Sequence, residues 1–225
     1  MNNSHFCLLS QNLFDFSHTV AAPLLQSTAY PWEVLPLIEE FIKELGALLD
    51  PAVYEHDGDG IFVAKSARVA SSAHVGGPCI IGAGSEVRHG AYVRGSALVG
   101  EHCVVGNSVE LKNVILFDGV QVPHYNYVGD SILGYKAHMG AGSITSNVKS
   151  DRTAIVVRAG EVAYETGRKK CGAMLGDFAE IGCNSVLNPG TVIGRHATVY
   201  PLSSVRGTVP ENHILKADGI VVLKH

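Results

Sequence analysis

A β-solenoid is the fold this sequence predicts, on three observations. An aliphatic or aromatic side chain recurs at every sixth residue: Val63, Val69, Val75, Ile81, Val87, Val93, Val99, Val105, Leu111 and Phe117. The beat returns at Leu175, Ile181, Leu187, Ile193, Val199 and Val205. The fourth residue after many beats is small or short, as at Ala67, Ala73, Cys79, Ser85, Ala91, Ala97, Cys103, Ala179 and Ala197. Glycine is abundant, at 25 of 225 residues, as a chain that turns a corner every six residues requires. Helices repeat at 3.6 residues and strands at 2, so neither accounts for a period of six. One short strand plus one corner per hexapeptide does.

Residues 1–60 lie outside the repeat and form an N-terminal helical extension. Val34, Ile38, Phe41, Ile42, Leu45, Leu48 and Leu49 make an apolar stripe at helical spacing. Pro36 lacks an N–H, so the helix is expected to begin only a few residues before it, where N–H groups have no partner anyway. Gly46 weakens this helix and Asp50-Pro51 ends it. Asp57-Gly58-Asp59-Gly60 has the look of a calcium loop but lacks the remaining ligands, and a turn is expected there. The solenoid spans 61–209, in two runs of about 61–147 and 172–209. Between them, an insertion at about 148–171 carries strand-like 153–158 and 162–165 around Ala159-Gly160-Glu161, a β-hairpin expected to leave the coil. Residues 210–225 are expected to cap the last coil, since an open solenoid end exposes unpaired strand edges.

Composition narrows the function. Net charge is −4, only 17 % of residues are charged, and no basic stripe is present, which argues against a nucleic-acid partner. The five cysteines (Cys7, Cys79, Cys103, Cys171 and Cys183) form no C-x-x-C pair and read as reduced thiols, mostly buried. The N-terminus has no basic segment followed by a long apolar core, and no run approaches the ~18 apolar residues of a membrane span. A cytoplasmic protein with no membrane partner is expected.

Three hexapeptides make one triangular coil, so residues three beats apart stack, about 4.8 Å from one another. Arg94 and Lys112 stand in that relation, each directly after a beat. Two cations so stacked repel, which Glu110 offsets in part. A phosphate, or a solvated basic corner, would account for the pair. The beat fails at Pro123-His124-Tyr125-Asn126-Tyr127-Val128-Gly129-Asp130, where polar residues crowd. His124 is a candidate general base with Glu110 near enough to orient it, or simply a solvated corner residue. Met139-Gly140-Ala141-Gly142-Ser143-Ile144-Thr145-Ser146-Asn147 can bring backbone N–H groups close to a ligand.

At these residues the sequence resembles the left-handed β-helix acyltransferases built from hexapeptide repeats. The span from Arg94 to about Pro201 resembles the C-terminal acetyltransferase domain of the bifunctional enzymes that make UDP-N-acetylglucosamine, in which a trimer acetylates glucosamine-1-phosphate from acetyl-CoA. The motif residues are Arg94, Glu110 with Lys112, His124 with Tyr127, Gly129 and Asp130, the run from Gly140 to Asn147, and Lys170. The segment Thr166-Gly167-Arg168-Lys169-Lys170 looks more like archaeal-type sugar-1-phosphate nucleotidyltransferases with the same domain. The resemblance implies an all-β, left-handed parallel β-helix. It implies catalysis by His124 oriented by Glu110, and substrate binding by Arg94, Lys112, Tyr127, His138 and Lys170. It places acetyl-CoA against Ala141, Asn147, Cys183 and Pro201, with no metal, and a homotrimer whose ligands are a sugar phosphate and CoA. The chain departs from the family pattern at three places: His138 stands for an Asn, Val148 for a Tyr and Cys183 for a Ser. No Gly-rich pyrophosphorylase loop followed by Arg is present.

Two other classes remain open: a non-catalytic or regulatory trimer that binds sugar phosphate or nucleotide sugar, and a γ-type carbonic anhydrase-like metalloenzyme. The latter needs three zinc-binding His, two of them about five residues apart. His89, His102, His124 and His138 offer no such pair.

Overall fold

The computed structural model describes residues 8–224. Cys7 lies outside them. The chain forms the expected class of structure, an all-β, left-handed parallel β-helix with an N-terminal helical segment and an inserted hairpin. Three stacks of short parallel strands make its faces. The first face begins with Ile61–Ala64, Cys79–Ile81 and Ala97–Val99, the second with Arg68–Val69, Glu86–Val87 and Val104–Asn107, and the third with His74–Val75 and Tyr92–Val93. Each beat residue faces its counterpart in the next coil, as Val63 faces Ile81 and Val69 faces Val87. The stacked aliphatic side chains from Ile81 to Val205 are almost fully buried.

The period is not constant. Coils repeat at 18 residues as far as Leu111, which stacks on Val93. Leu111 then pairs with Val128, and Val99 with Leu116, at a spacing of 17. The cause is a corner: Gly95 and Ser96 both turn at positive φ, whereas Asn113 and Asp130 each make the same corner alone, at φ 54 and 48. Asn and Asp tolerate that left-handed backbone better than most residues. Glu110–Leu116 and Tyr127–Leu133 consequently run unbroken from the third face to the first. Phe117 is therefore not a stacked beat. Leu116 takes that place, and Phe117 meets Phe14 of the extension, ring centroids 5.0 Å apart. Spacing returns to 18 at Leu175–Ile193 and shortens to 16 at Ile193–Val209.

The extension differs from the single helix expected. Pro31–Val34 is a 3-10 turn, and the main helix starts at Ile38, after Pro36, running to Gly46. Its buried Ile38 and Ile42 pack on the first face. Gly46 is there for space, since a Cβ would run into the Phe62 ring. The extension is pinned by buried Asp177. One oxygen accepts the Asp15 N–H at 2.7 Å, the other accepts the Tyr135 N–H at 2.9 Å, and Arg195 lies 3.2 Å away. Burial pushes the Asp177 carboxyl up, against these donors.

Asp57–Gly60 is the turn between antiparallel Tyr54–Asp57 and Ile61–Ala64, which closes the first coil. At the other end, His213–Leu215 pairs antiparallel with Val221–Leu223, so the cap is a hairpin. The inserted hairpin is Val156–Ala159 with Val162–Glu165. It leaves the coil as a separate two-stranded sheet, as expected, but folds back onto the solenoid. Ile155, Val157 and Ala159 are buried against its own solenoid, and Thr208 donates to the Arg158 carbonyl at 2.7 Å. Tyr164 meets Tyr30 and Trp32, whose rings stack at 4.7 Å. Cys79, Cys103 and Cys171 are free and buried, each thiol pushed up to about 12 mainly by burial, while Cys183 is exposed. Among the described residues no helix is long and apolar enough to cross a membrane.

Candidate functional site

Two corners of the triangle, at either end of the third face, carry most of the singled-out residues. The first corner follows the second face. His124 pairs with Asn107 below it, the Gly142 N–H bonds the His124 carbonyl, the Asn184 N–H bonds Ala141, and the Leu202 N–H bonds Cys183. That ladder stacks His124, Ala141, Cys183 and Pro201 on one edge through four consecutive coils. Asn126, 2 % exposed, braces it. Its Oδ1 accepts the His124 N–H at 3.2 Å, and its Nδ2 donates to the carbonyls of Gly140 (2.8 Å) and Ser143 (3.0 Å). Asn126 escaped notice in the sequence, although it lies in the run where the beat fails. The His124 side chain is exposed.

The second corner leads from the third face to the first. Its centre is Asp130, the last residue of the His124-to-Asp130 motif. Its side chain is 2 % exposed. Lys112 Nζ lies 3.0 and 3.1 Å from its two oxygens, and Asn113 Nδ2 and Asn147 Nδ2 donate at 2.9 and 2.6 Å. Asn147 also donates to the Tyr127 hydroxyl at 3.1 Å. Burial, then the charges of Asp130 and Glu110, hold the Tyr127 phenol above its ordinary pKa. Arg94 and Lys112 do sit in register, but each has its own carboxylate. Arg94 donates to Glu110 at 2.8 Å, and that bond raises the pKa of the guanidinium. Repulsion between two bare cations therefore gives no ground for a phosphate.

Glu110 bonds Arg94, and no hydrogen bond joins it to His124. It does not orient the imidazole in this structure, because it points along the third face to Arg94. His138 pairs with Gln121, at the opposite end of the second face from His124, and its Nδ1 meets Glu180 at 2.8 Å. About three residues of strand, roughly 10 Å, separate it from Ala141, so one chain does not bring His138 to the rest. Asn147 sits on the Asp130 corner, away from the edge that holds Ala141, Cys183 and Pro201. Lys170 is exposed at the end of the insertion, where the chain rejoins the solenoid. There the Cys171 N–H bonds Asn147 and the Gly172 N–H bonds Asp130. Lys170 thereby lines one cavity with Lys112 and Asp130. Among the described residues no group of three or more His, Cys, Asp or Glu side chains is placed to hold a metal ion.

Comparison with known proteins supports the resemblance. Residues 75–166 match the model of the GMPPB C-terminal domain. The bifunctional sugar-1-phosphate nucleotidylyltransferase/acetyltransferase of Sulfurisphaera tokodaii is 33 % identical over 48 % of this chain and 27 % of its own length. The bifunctional protein GlmU of Methanococcus maripaludis is 32 % identical over 52 % of this chain and 29 % of its own. The matched region thus spans less than a third of these relatives. A mutant perosamine N-acetyltransferase from Caulobacter crescentus, solved with CoA and GDP-perosamine, aligns with 72 % of this chain and 56 % of its own at 16 % identity and a TM-score of 0.39. The chain is a hexapeptide-repeat β-helix similar to the GMPPB C-terminal domain and related in sequence to the bifunctional sugar-1-phosphate nucleotidylyltransferase/acetyltransferases.

Proposed function

We propose that the protein is an acetyl-CoA-dependent N-acetyltransferase acting on an amino-sugar phosphate, such as glucosamine-1-phosphate, or on a nucleotide amino sugar. The observation that carries this reading is the shared edge of His124, Ala141, Cys183 and Pro201 beside a face bearing Tyr127, Arg94 and Lys112. CoA would lie along the edge against Ala141, Cys183 and Pro201, with its thioester at His124. The sugar would lie across the third face, its phosphate drawn to Arg94 and Lys112, with Lys170 beyond. Both cations keep unused N–H donors beside their carboxylates. Neutral His124 takes the proton of the attacking amine. The C–N bond forms, the C–S bond breaks, and the CoA thiolate leaves and is protonated. A backbone N–H near Ala141 would stabilise the oxyanion.

The assembly belongs to the proposal as a homotrimer. The hairpin finds cover on its own chain and gives no argument for a neighbour. The argument for it is geometric: His138 and Asn147 lie away from the His124 edge, where His124 and Cys183 are exposed. A second copy would bring its own His138 and Asn147 to that edge. Light scattering should give about three times the 23.9 kDa chain mass.

A second reading, a binding trimer without turnover, is favoured by one observation: Glu110 is committed to Arg94, leaving His124 without the expected orienting carboxylate. CoA release from acetyl-CoA, assayed against a panel of amino-sugar phosphates and nucleotide amino sugars, separates the two. Release that depends on the acceptor supports the enzyme. Acceptor binding with no release above the uncatalysed rate supports the binding protein.

A further inference from the structure

A cavity of about 590 Å³ opens beyond Lys112, between the N-terminal helix and the loop that rejoins the solenoid. Its charged lining is Glu39, Lys112, Asp130, Arg168, Lys169 and Lys170. Both carboxylates are already engaged: Glu39 accepts from Lys43 at 2.7 Å, and Asp130 holds Lys112. Among the described residues no carboxylate forms an ion pair with Arg168, Lys169 or Lys170, and Arg168 Nε bonds only the Lys170 carbonyl, at 3.3 Å. Three successive cations thus border one cavity with no ion-pair partner of their own among the described residues, in a chain whose net charge is −4. That arrangement suits a ligand that brings its own negative charges.

The cavity's position sets the ligand. Arg94 does not line it, whereas Lys112 does. It therefore continues past the proposed phosphate position, on the side away from His124. A monophosphate held between Arg94 and Lys112 would leave Arg168 and Lys169 unused. A second phosphoryl group joined to the first would reach them. We infer that the acceptor is linked through a diphosphate, as in a nucleoside-diphosphate amino sugar, with its distal phosphate bound by Arg168, Lys169 and Lys170. This rests on the proposed placement of the first phosphate at Arg94 and Lys112. Helix 38–46 takes part by forming the far wall through Glu39.

The diphosphate could also be that of CoA itself, and the test distinguishes the two. Inorganic phosphate, inorganic pyrophosphate and UDP are titrated calorimetrically into the full chain at fixed ionic strength, first without CoA and then with saturating CoA. Pyrophosphate and UDP should bind at least about tenfold tighter than phosphate, the return on one further charge-assisted hydrogen bond. R168A/K169A should collapse that ratio toward one while sparing phosphate, and CoA should leave it unchanged. Equal affinities for phosphate and pyrophosphate would overturn the inference, as would displacement of pyrophosphate by CoA. No acyl transfer is read, so diphosphate binding by a protein that fails to release CoA would sink the enzyme reading and leave this one standing.

Discussion

Replacing Asp130 by Asn tests how the second corner is held. The carboxylate is 2 % exposed and gathers Lys112, Asn113 and Asn147. Asn also accepts the left-handed backbone, φ 48 here, so the change removes charge without straining the turn. Breaking a fully buried ion pair costs about 3–5 kcal/mol. The Lys112 side chain is 27 % exposed and keeps some water, which lowers the expectation to about 2–4 kcal/mol. Part of that comes from the new amide group, whose N–H atoms face three donors. Urea denaturation followed by circular dichroism measures it. Combining Asp130→Asn with Lys112→Met should recover at least about 1 kcal/mol relative to the sum of the single changes, well above the ~0.5 kcal/mol scatter of independent sites. Additive losses, or an Asp130→Asn cost under ~0.5 kcal/mol, would refute the view that this carboxylate organises the corner.

Further expectations follow from individual contacts. Trp32→Ala should cost about 3–5 kcal/mol, since the ring is 2 % exposed and fastens Tyr30 and Tyr164 together; melting temperature measures it, and an unchanged value would mean that the extension is not anchored there. Gly106→Ala should cost about 1–3 kcal/mol or more, because a Cβ would strike the Pro123 backbone in the next coil; urea denaturation checks it. In the native protein a thiol reagent at pH 8 should label Cys183 and spare Cys79, Cys103 and Cys171, whose pKa values of about 12 and burial keep them unreactive. Lys112→Ala should weaken sugar-phosphate binding by about 1.5–3 kcal/mol and hardly change CoA binding, as calorimetry would show.

Most of the solenoid was legible because burial imposes the period: a residue must be apolar where three faces meet an interior with no water. The corner at Asn113 was not, since dropping one residue leaves the apolar pattern nearly intact. Leu116 and Phe117 are both apolar, and only the pairing with Val99 distinguishes them. Asp130 was legible as a motif residue, but its hold on Lys112 was not: Lys112 stacks on Gly129, and Asp130 reaches back to it from the shortened corner over Asn113. The offset of the stacked cations by Glu110 was legible, and Glu110 does reach Arg94 across the strand pair; the second carboxylate, Asp130 on Lys112, was not. The docking of the extension was beyond sequence reading, because it depends on Asp177 meeting the Asp15 N–H across 162 residues. The hairpin's destination failed for the same reason. Its alternation was visible, but not which surface would cover Val157.

Acetyl transfer through His124 is the central claim. Wild-type protein and His124→Ala are each incubated with acetyl-CoA and the best acceptor from the panel, and the N-acetylated product is quantified by mass spectrometry. The expected result is a wild-type product rate about 10²–10⁴-fold above that of the variant, with equal melting temperatures because His124 is an exposed corner residue. A well-folded His124→Ala protein that forms product at a near-normal rate would contradict the mechanism, and no product from the wild type with any acceptor would contradict the function.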